Sequence, residues 1–250
     1  MPIKSLLLVL LASFFLACNS ARQAKNPPAT GFNEAASDAR AMQIADEVMT
    51  ALGGRKAWDD TRYLTWVFFG RRKHCWDKHT GDIRIESTGD SMVYLLNINT
   101  LQGKIWRKGK EETHPDTLQK YLERGKSIWI NDAYWLVMPY KLKDSGVTLK
   151  YLGEQNTEAG IPADVLQLTF QNVGDTPENK YHVFVDKTSR LDVQWSYFKN
   201  AANEKPDFTS PWDDWKKYGN IMLSGGRGKG SLTEIGAPET MPTGMFTSLK

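Results

Sequence analysis

Tyr63-Leu64-Thr65-Trp66-Val67-Phe68-Phe69 decides the fold, because aromatic and branched residues fall on both of its faces and the chain behind it turns straight back. Arg71 to Asp77 returns through the turn-forming Lys78-His79-Thr80-Gly81-Asp82 into Ile83-Arg84-Ile85-Glu86. Met92 to Asn99 alternates in the same manner before Gln102-Gly103 turns into Lys104-Ile105-Trp106-Arg107. Short alternating runs joined by turn residues predict an antiparallel meander. Upstream, Ser37 or Asp38 is placed to cap a helix in which Ala41, Ile44, Ala45, Val48 and Leu52 recur at helical spacing, and Gly53-Gly54 stops it. Downstream the period changes. Pro115-Asp116 opens a helical stretch through Leu118, Tyr121 and Leu122, and Ser127 to Met138 is apolar nearly all round until Pro139 ends it. A helix apolar on every side is buried on more than one, so this insert is expected against a sheet or inside its concave face.

Strands resume at Val147 to Leu152, Ala163 to Phe170, Lys180 to Asp186 and Leu191 to Phe198, the last two forming a hairpin across Lys187-Thr188-Ser189-Arg190. Further short strands fit Ile221-Met222-Leu223 and Ser231 to Ile235, with Gly225-Gly226-Arg227-Gly228 read as a flexible hairpin loop between them. The order is a helix, a meander, an apolar insert and a second meander. Without a βαβ alternation, the class is α+β, built on a curved antiparallel β-sheet.

Met1 to Ala17 has one charge, Lys4, and then the apolar run from Leu6 to Ala17, which is short for a bilayer-spanning helix and suits a secretory signal. An ordinary signal peptidase wants small residues at the third and first positions before its cut; Ala17 fits and Phe15 does not. Cys18 closing that run resembles the lipobox of bacterial lipoproteins, which implies cleavage before Cys18 and a diacylated, palmitate-type lipidation of it. The plainer alternatives are an uncleaved apolar anchor or a buried cysteine. Durable membrane attachment takes more than one acyl chain, each buried methylene contributing about 0.8 kcal/mol. The expected organisation is a signal peptide at 1–17, a flexible polar linker at 18–37 and a single domain at 38–250.

The 250 residues are 40% hydrophobic and 24% charged, an ordinary globular balance, and the net charge of +3 is scattered. Arg71-Arg72-Lys73 is the densest basic run and reads as a solvated strand end, so nucleic acid is not an expected partner. With only two cysteines, and Cys18 lipidated, Cys75 has no partner in the chain and no disulfide framework holds the fold. Stability must come from an apolar core, which 9 Trp, 9 Tyr and 10 Phe can supply.

The opening helix with Ala51-Leu52-Gly53-Gly54-Arg55-Lys56-Ala57-Trp58, the segment Trp135-Leu136-Val137-Met138-Pro139-Tyr140 and the strand-turn-strand Tyr181 to Leu191 resemble the lipoprotein-carrier (LolA/LolB/LppX-like) superfamily of half-open β-barrels. That superfamily includes the periplasmic carrier of lipoproteins, its outer-membrane receptor and mycobacterial lipid-binding lipoproteins. Closer still, the chain looks like a lipoprotein family common in Bacteroidota, for which the resemblance supplies a fold and no activity. It implies a half-open β-barrel wrapping the N-terminal helix and the central insert, with an apolar cavity that holds acyl chains. No catalytic residue comes with it.

The chemistry-bearing clusters are weak. In His74-Cys75-Trp76-Asp77-Lys78-His79, Cys75, Asp77 and His79 share one strand face, the residue types of a metal site, but a second spaced pair is missing and a polar hairpin end accounts for them. Asp213-Asp214 are adjacent, whereas glycoside hydrolysis needs carboxylates apart across a bond, so they read as a surface turn. Gly225 to Gly230 lacks the Gly-Lys-Ser/Thr ending of a phosphate loop. No catalytic residue, metal or cofactor is assigned. Trp66, Phe68, Tyr94, Trp129, Trp135, Trp195 and Tyr197 would line one concave side of a half-barrel, where cavity lining and core filling demand the same side chains.

The expectation is therefore a lipid-anchored, non-enzymatic cell-envelope protein, outer-membrane anchored and facing the periplasm. It would bind a lipid or the acyl part of a lipoprotein without covalent chemistry and release it by motion of the insert from Pro115 to Pro139. One alternative is a glycan- or protein-binding accessory component of an envelope assembly, stacking sugars on Trp212 or Trp215. The other is a metal-dependent hydrolase centred on His74, Cys75, Asp77 and His79.

Overall fold

The structure is a computed structural model and describes residues 26–171 and 173–249. The signal segment and Cys18 lie outside the described residues. In chain order, α1 (Ala39–Ala51) and α2 (Arg55–Asp60) precede a meander of β1 (Tyr63–Phe68), β2 (Arg72–Asp77), β3 (Asp82–Ser87), β4 (Met92–Asn97), β5 (Gln102–Arg107) and β6 (Lys110–Glu111). The central helix α3 (Pro115–Val137) then passes through a 3-10 turn, Met138–Lys141. A second series follows: β7 (Val147–Asn156), β8 (Pro162–Phe170), β9 (Lys180–Asp186), β10 (Asp192–Phe198), β11 (Phe208–Pro211), β12 (Asp213–Tyr218), β13 (Ile221–Arg227) and β14 (Gly230–Gly236).

All of these strands pair antiparallel, but in two sheets instead of the expected one: β12-β13-β14-β1-β2-β3-β4-β5-β6 and β11-β10-β9-β8-β7, neither closed into a barrel. The division falls where β11 runs into β12 through Pro211-Trp212. Proline has no N–H to extend the ladder, and the Trp212 amide turns to donate to Val193 O at 2.9 Å. Trp212 is fully buried at this corner. One hydrophobic core spans both sheets and α1, taking in Ile44, Val48, Leu64, Ile85, Tyr94, Leu136, Leu149, Leu166, Trp195 and Leu223.

The central helix packs against β4, β5 and β13. Its close approach is made at Gly125, where a Cβ would stand 2.7 Å from Leu96 Cδ2 and 2.8 Å from the Tyr94 ring. The helix is not apolar all round as its sequence suggests. Asp132 is fully buried on the face turned to β2, paired with Arg72 and His74.

The remaining departures are local. Ser37 and Asp38 do not cap α1 with their side chains; they tie its start to β7, Ser37 Oγ accepting from Leu149 N at 3.0 Å and Asp38 Oδ2 from Tyr151 N at 2.9 Å. Residues 26–37, read as linker, are held to the body: Asn26 is buried, accepts from Arg55 N and donates to Asp46 O, and the Asn33 and Asp38 amides bond to β7 carbonyls. Asp213-Asp214 sit in β12 and not in a turn, and Gly225 to Arg227 belong to β13 and not to a loop. Burial between β12 and β14 explains the latter: Arg227 lies in the interior, donating to Trp135 O, with its guanidinium 3.6 Å from the Trp212 ring centroid.

After β14 the chain crosses the outer face of the first meander. Arg84 donates to the carbonyls of Met245, Ser248 and Leu249 at 2.8–3.1 Å, and Phe246 stacks on Tyr63. No helix among the described residues is long and apolar enough to cross a membrane.

Candidate functional site

Alternation along β9 and β10 sends Tyr181, Trp195 and Tyr197 to the face turned toward α3. Register sets Tyr181 opposite Tyr197, and Tyr197 opposite Phe208 on β11. The rings form a continuous apolar wall: Tyr181 to Tyr197 at 5.3 Å, Tyr197 to Phe208 at 5.0 Å, and Trp195 stacked on Tyr181 at 5.0 Å. The C-terminal half of α3 faces this wall with Trp129, Ile130, Ala133, Tyr134, Trp135 and Val137, and encloses with it a cavity of about 640 Å³. Trp76 from β2, Phe170 from β8 and the segment Val173 to Thr176 complete the lining. That volume falls within the roughly 300–1,000 Å³ of typical small-molecule sites.

The carboxylates and the Asn179 amide at the cavity are already engaged, whereas the buried Tyr134 hydroxyl and the Trp129 and Trp195 indole N–H groups have no hydrogen-bond partner among the described residues. Ser127 donates to Asp175, Lys141 pairs with Asp144, and Asn179 accepts from the Tyr197 hydroxyl at 3.3 Å while donating to Thr176 Oγ1 at 2.6 Å. Burial pushes the Tyr134 and Tyr181 hydroxyls up and keeps both protonated at neutral pH. The wall thus offers dispersion and stacking, and its acids, Asp175 and Asp144, are paired with Ser127 and Lys141.

Four of the seven sequence-selected aromatics, Trp129, Trp135, Trp195 and Tyr197, come together on this cavity; Trp66, Phe68 and Tyr94 do not. Trp66 stacks on His74 with ring centroids 4.4 Å apart, and Tyr94 is covered by α3 at Gly125, so both are core. Phe68 lies on a second, shallower depression beside Trp135. Tyr134, Phe170, Tyr181 and Phe208 line the cavity without having been singled out in the sequence. The alternation that placed Tyr197 inward also places Phe208, its cross-strand partner, but β11 is four residues long and carries no strand signal of its own.

The alternative constellations do not assemble. His74 and Trp76 point to the core, while Cys75 and Asp77 lie on the opposite face; all four are buried, so the segment is no polar hairpin end. Burial pushes the Cys75 thiol up, the reverse of an activated thiolate. Asp77 is held by Arg62 at 2.8 Å and by the amide of His79, whose ring pairs with Asp59 O. Among the described residues no group of three or more His, Cys, Asp or Glu is placed to hold a metal ion. Trp212 is fully buried under Arg227, and the half-buried Trp215 donates its indole N–H to Asp192 O, which removes the pair proposed for stacking sugars.

The solved structures similar to this one include the following two. A DUF1329 family protein from Desulfovibrio piger ATCC 29098 aligns over 82% of this chain and 96% of its own at 11% identity, with a TM-score of 0.46. MucB, solved in complex with MucA(peri), aligns over 83% of this chain and 59% of its own at 13% identity, with a TM-score of 0.25. No protein-family model matches the chain, and no curated protein does. The functional reading rests on the cavity.

Proposed function

We propose that this is a cell-envelope lipoprotein, anchored through Cys18, that holds an acyl chain of a lipid or lipoprotein non-covalently in the cavity between α3 and the smaller sheet. It acts as a binder and not as an enzyme. The observation that carries the reading is the wall itself: Trp129, Tyr134, Trp135, Tyr181, Trp195, Tyr197 and Phe208 meet around about 640 Å³ of space, and the two carboxylates that border it, Asp144 and Asp175, are already paired with Lys141 and Ser127. A chain entering it gains about 25 cal/mol for each Å² of apolar surface withdrawn from water and leaves no bordering carboxylate newly unpaired.

Release by movement of the whole insert, as the sequence suggested, conflicts with the buried Asp132 contacts that fix the C-terminal half of α3 to β2. The reading therefore takes the chain in and out past Phe208, 38% exposed, whose ring stacks on Trp135 at 5.7 Å.

Titration with a fluorescent fatty acid, read by energy transfer from tryptophan, tests this. Saturable one-to-one binding is expected, weakened about tenfold in Trp135→Ala, a loss of about 1.4 kcal/mol. Folded protein that shows no saturable transfer would overturn the reading.

A further inference from the structure

We propose that the ligand of this cavity is an anionic amphiphile, its tail among the aromatics and its carboxylate or phosphate head held by Arg71 and Lys229. The inference rests on the acyl-binding reading above and names the chemistry of the other end of the molecule. Next to the cavity lies a second depression lined by Phe68, Phe69, Arg71, Lys229, Gly230 and Ser231. The turn between β1 and β2 brings Arg71, and the turn between β13 and β14 brings Lys229; β1 and β14 are neighbours in the sheet, so the two cations meet at one end of it.

One aromatic side chain separates this depression from the cavity. Trp135 lines the cavity, where it meets Trp195 at 4.8 Å, and it also meets Phe69 edge-on at 5.4 Å, Phe68 at 6.3 Å and, at the exposed rim, Phe208. The apolar surface is therefore continuous from the interior to the two cations. Phe69 is held there in the left-handed region, at φ 46, with its ring laid on Gly230, where a Cβ would stand 2.3 Å from the ring. A non-glycine residue in that conformation costs free energy that the surrounding packing must offset. What it gains is an aromatic platform beside Arg71.

Charge pairing sets these two cations apart from their neighbours. Arg72 is bound to Asp132 and Lys73 to Glu234, whereas among the described residues Arg71 and Lys229 have no acidic partner. Two unpaired cations bordering an aromatic surface are complementary to an anion attached to an apolar tail, and Arg71 can engage a carboxylate or phosphate with two N–H groups at once.

The test measures binding of dodecanoate, dodecyl phosphate and dodecanol to the full chain and to the doubly substituted Arg71→Gln, Lys229→Gln protein, in which two exposed side chains are changed and the core is untouched. The wild-type protein is expected to prefer both anions over the alcohol by about tenfold or more, and the double variant to lose that preference while binding the alcohol unchanged. The tighter of the two anions identifies the head group. Equal binding of alcohol and anions by the wild type, or an anion preference that survives the double substitution, would overturn the head-group assignment and leave the cavity reading standing. Inorganic phosphate that displaces dodecyl phosphate at equal concentration would overturn it too, by showing a plain anion site. Failure of all three to bind folded wild-type protein would overturn the cavity reading itself.

Discussion

Replacing Asp132 with alanine is expected to destabilise the protein by about 3–5 kcal/mol, because it strips a buried charge network of its centre. The carboxylate is fully buried and receives four hydrogen bonds: from Arg72 Nε at 2.6 Å and Nη2 at 2.9 Å, from His74 Nε2 at 2.8 Å, and from Asn131 Nδ2 at 2.9 Å. Burial raises the Asp132 carboxyl, but the bonds from His74 and Arg72 outweigh it and hold the group below its ordinary value. Burial, aided by the nearby Arg72 charge, lowers His74 against the pull of Asp132, so the imidazole is neutral and donates through Nε2. Without the carboxylate, His74 is left buried with both ring nitrogens unpartnered, since Nδ1 already has no partner among the described residues. The sign of the pH effect follows. Both groups titrate below their unfolded values, so their contribution is present at neutral pH and fades as the pH falls through those values. Urea denaturation at pH 7 checks the magnitude, and Asp132→Asn, which keeps an acceptor, is expected to lose less.

Asp192→Asn is expected to act the other way, stabilising the protein by about 2–4 kcal/mol at pH 8. Asp192 opens β10 at a bulge, is fully buried, and neither carboxyl oxygen has a hydrogen-bond partner among the described residues. Burial pushes its carboxyl up to about 8 against the opposing pull of Arg227, itself lowered to about 9 by burial. A carboxyl raised in the folded state favours folding fully only below its unfolded value of about 4, and that advantage is lost as the pH rises through 8. Asparagine resembles the protonated acid and removes this dependence. Urea midpoints between pH 5 and pH 9 should fall for the wild type relative to the variant; a variant less stable than the wild type at pH 8 would contradict the account.

The meanders were legible because each strand alternates and each turn carries its own signal, as in Lys78 to Asp82. β12 was not, because Asp213-Asp214-Trp215-Lys216-Lys217 puts charges on both faces of an exposed strand and leaves no period to read. Asp132 was hidden inside an apolar run whose partner, Arg72, stands 60 positions away. The aromatic set was half legible for a related reason. Sequence alternation shows that Trp66 and Trp195 point inward, but whether a ring meets packing or space depends on where α3 lies. Its N-terminal half presses on Tyr94 at Gly125, and its C-terminal half stands off the smaller sheet.

Extraction of the folded, full-length protein with organic solvent, followed by mass spectrometry of the extract, tests the central claim most directly, because a covalent anchor stays with the protein while a cavity ligand leaves it. The account predicts close to one acyl-bearing lipid per chain, lost when Ile130→Trp fills the cavity. Folded protein that yields no lipid, or yields the same lipid with the cavity filled, would contradict it.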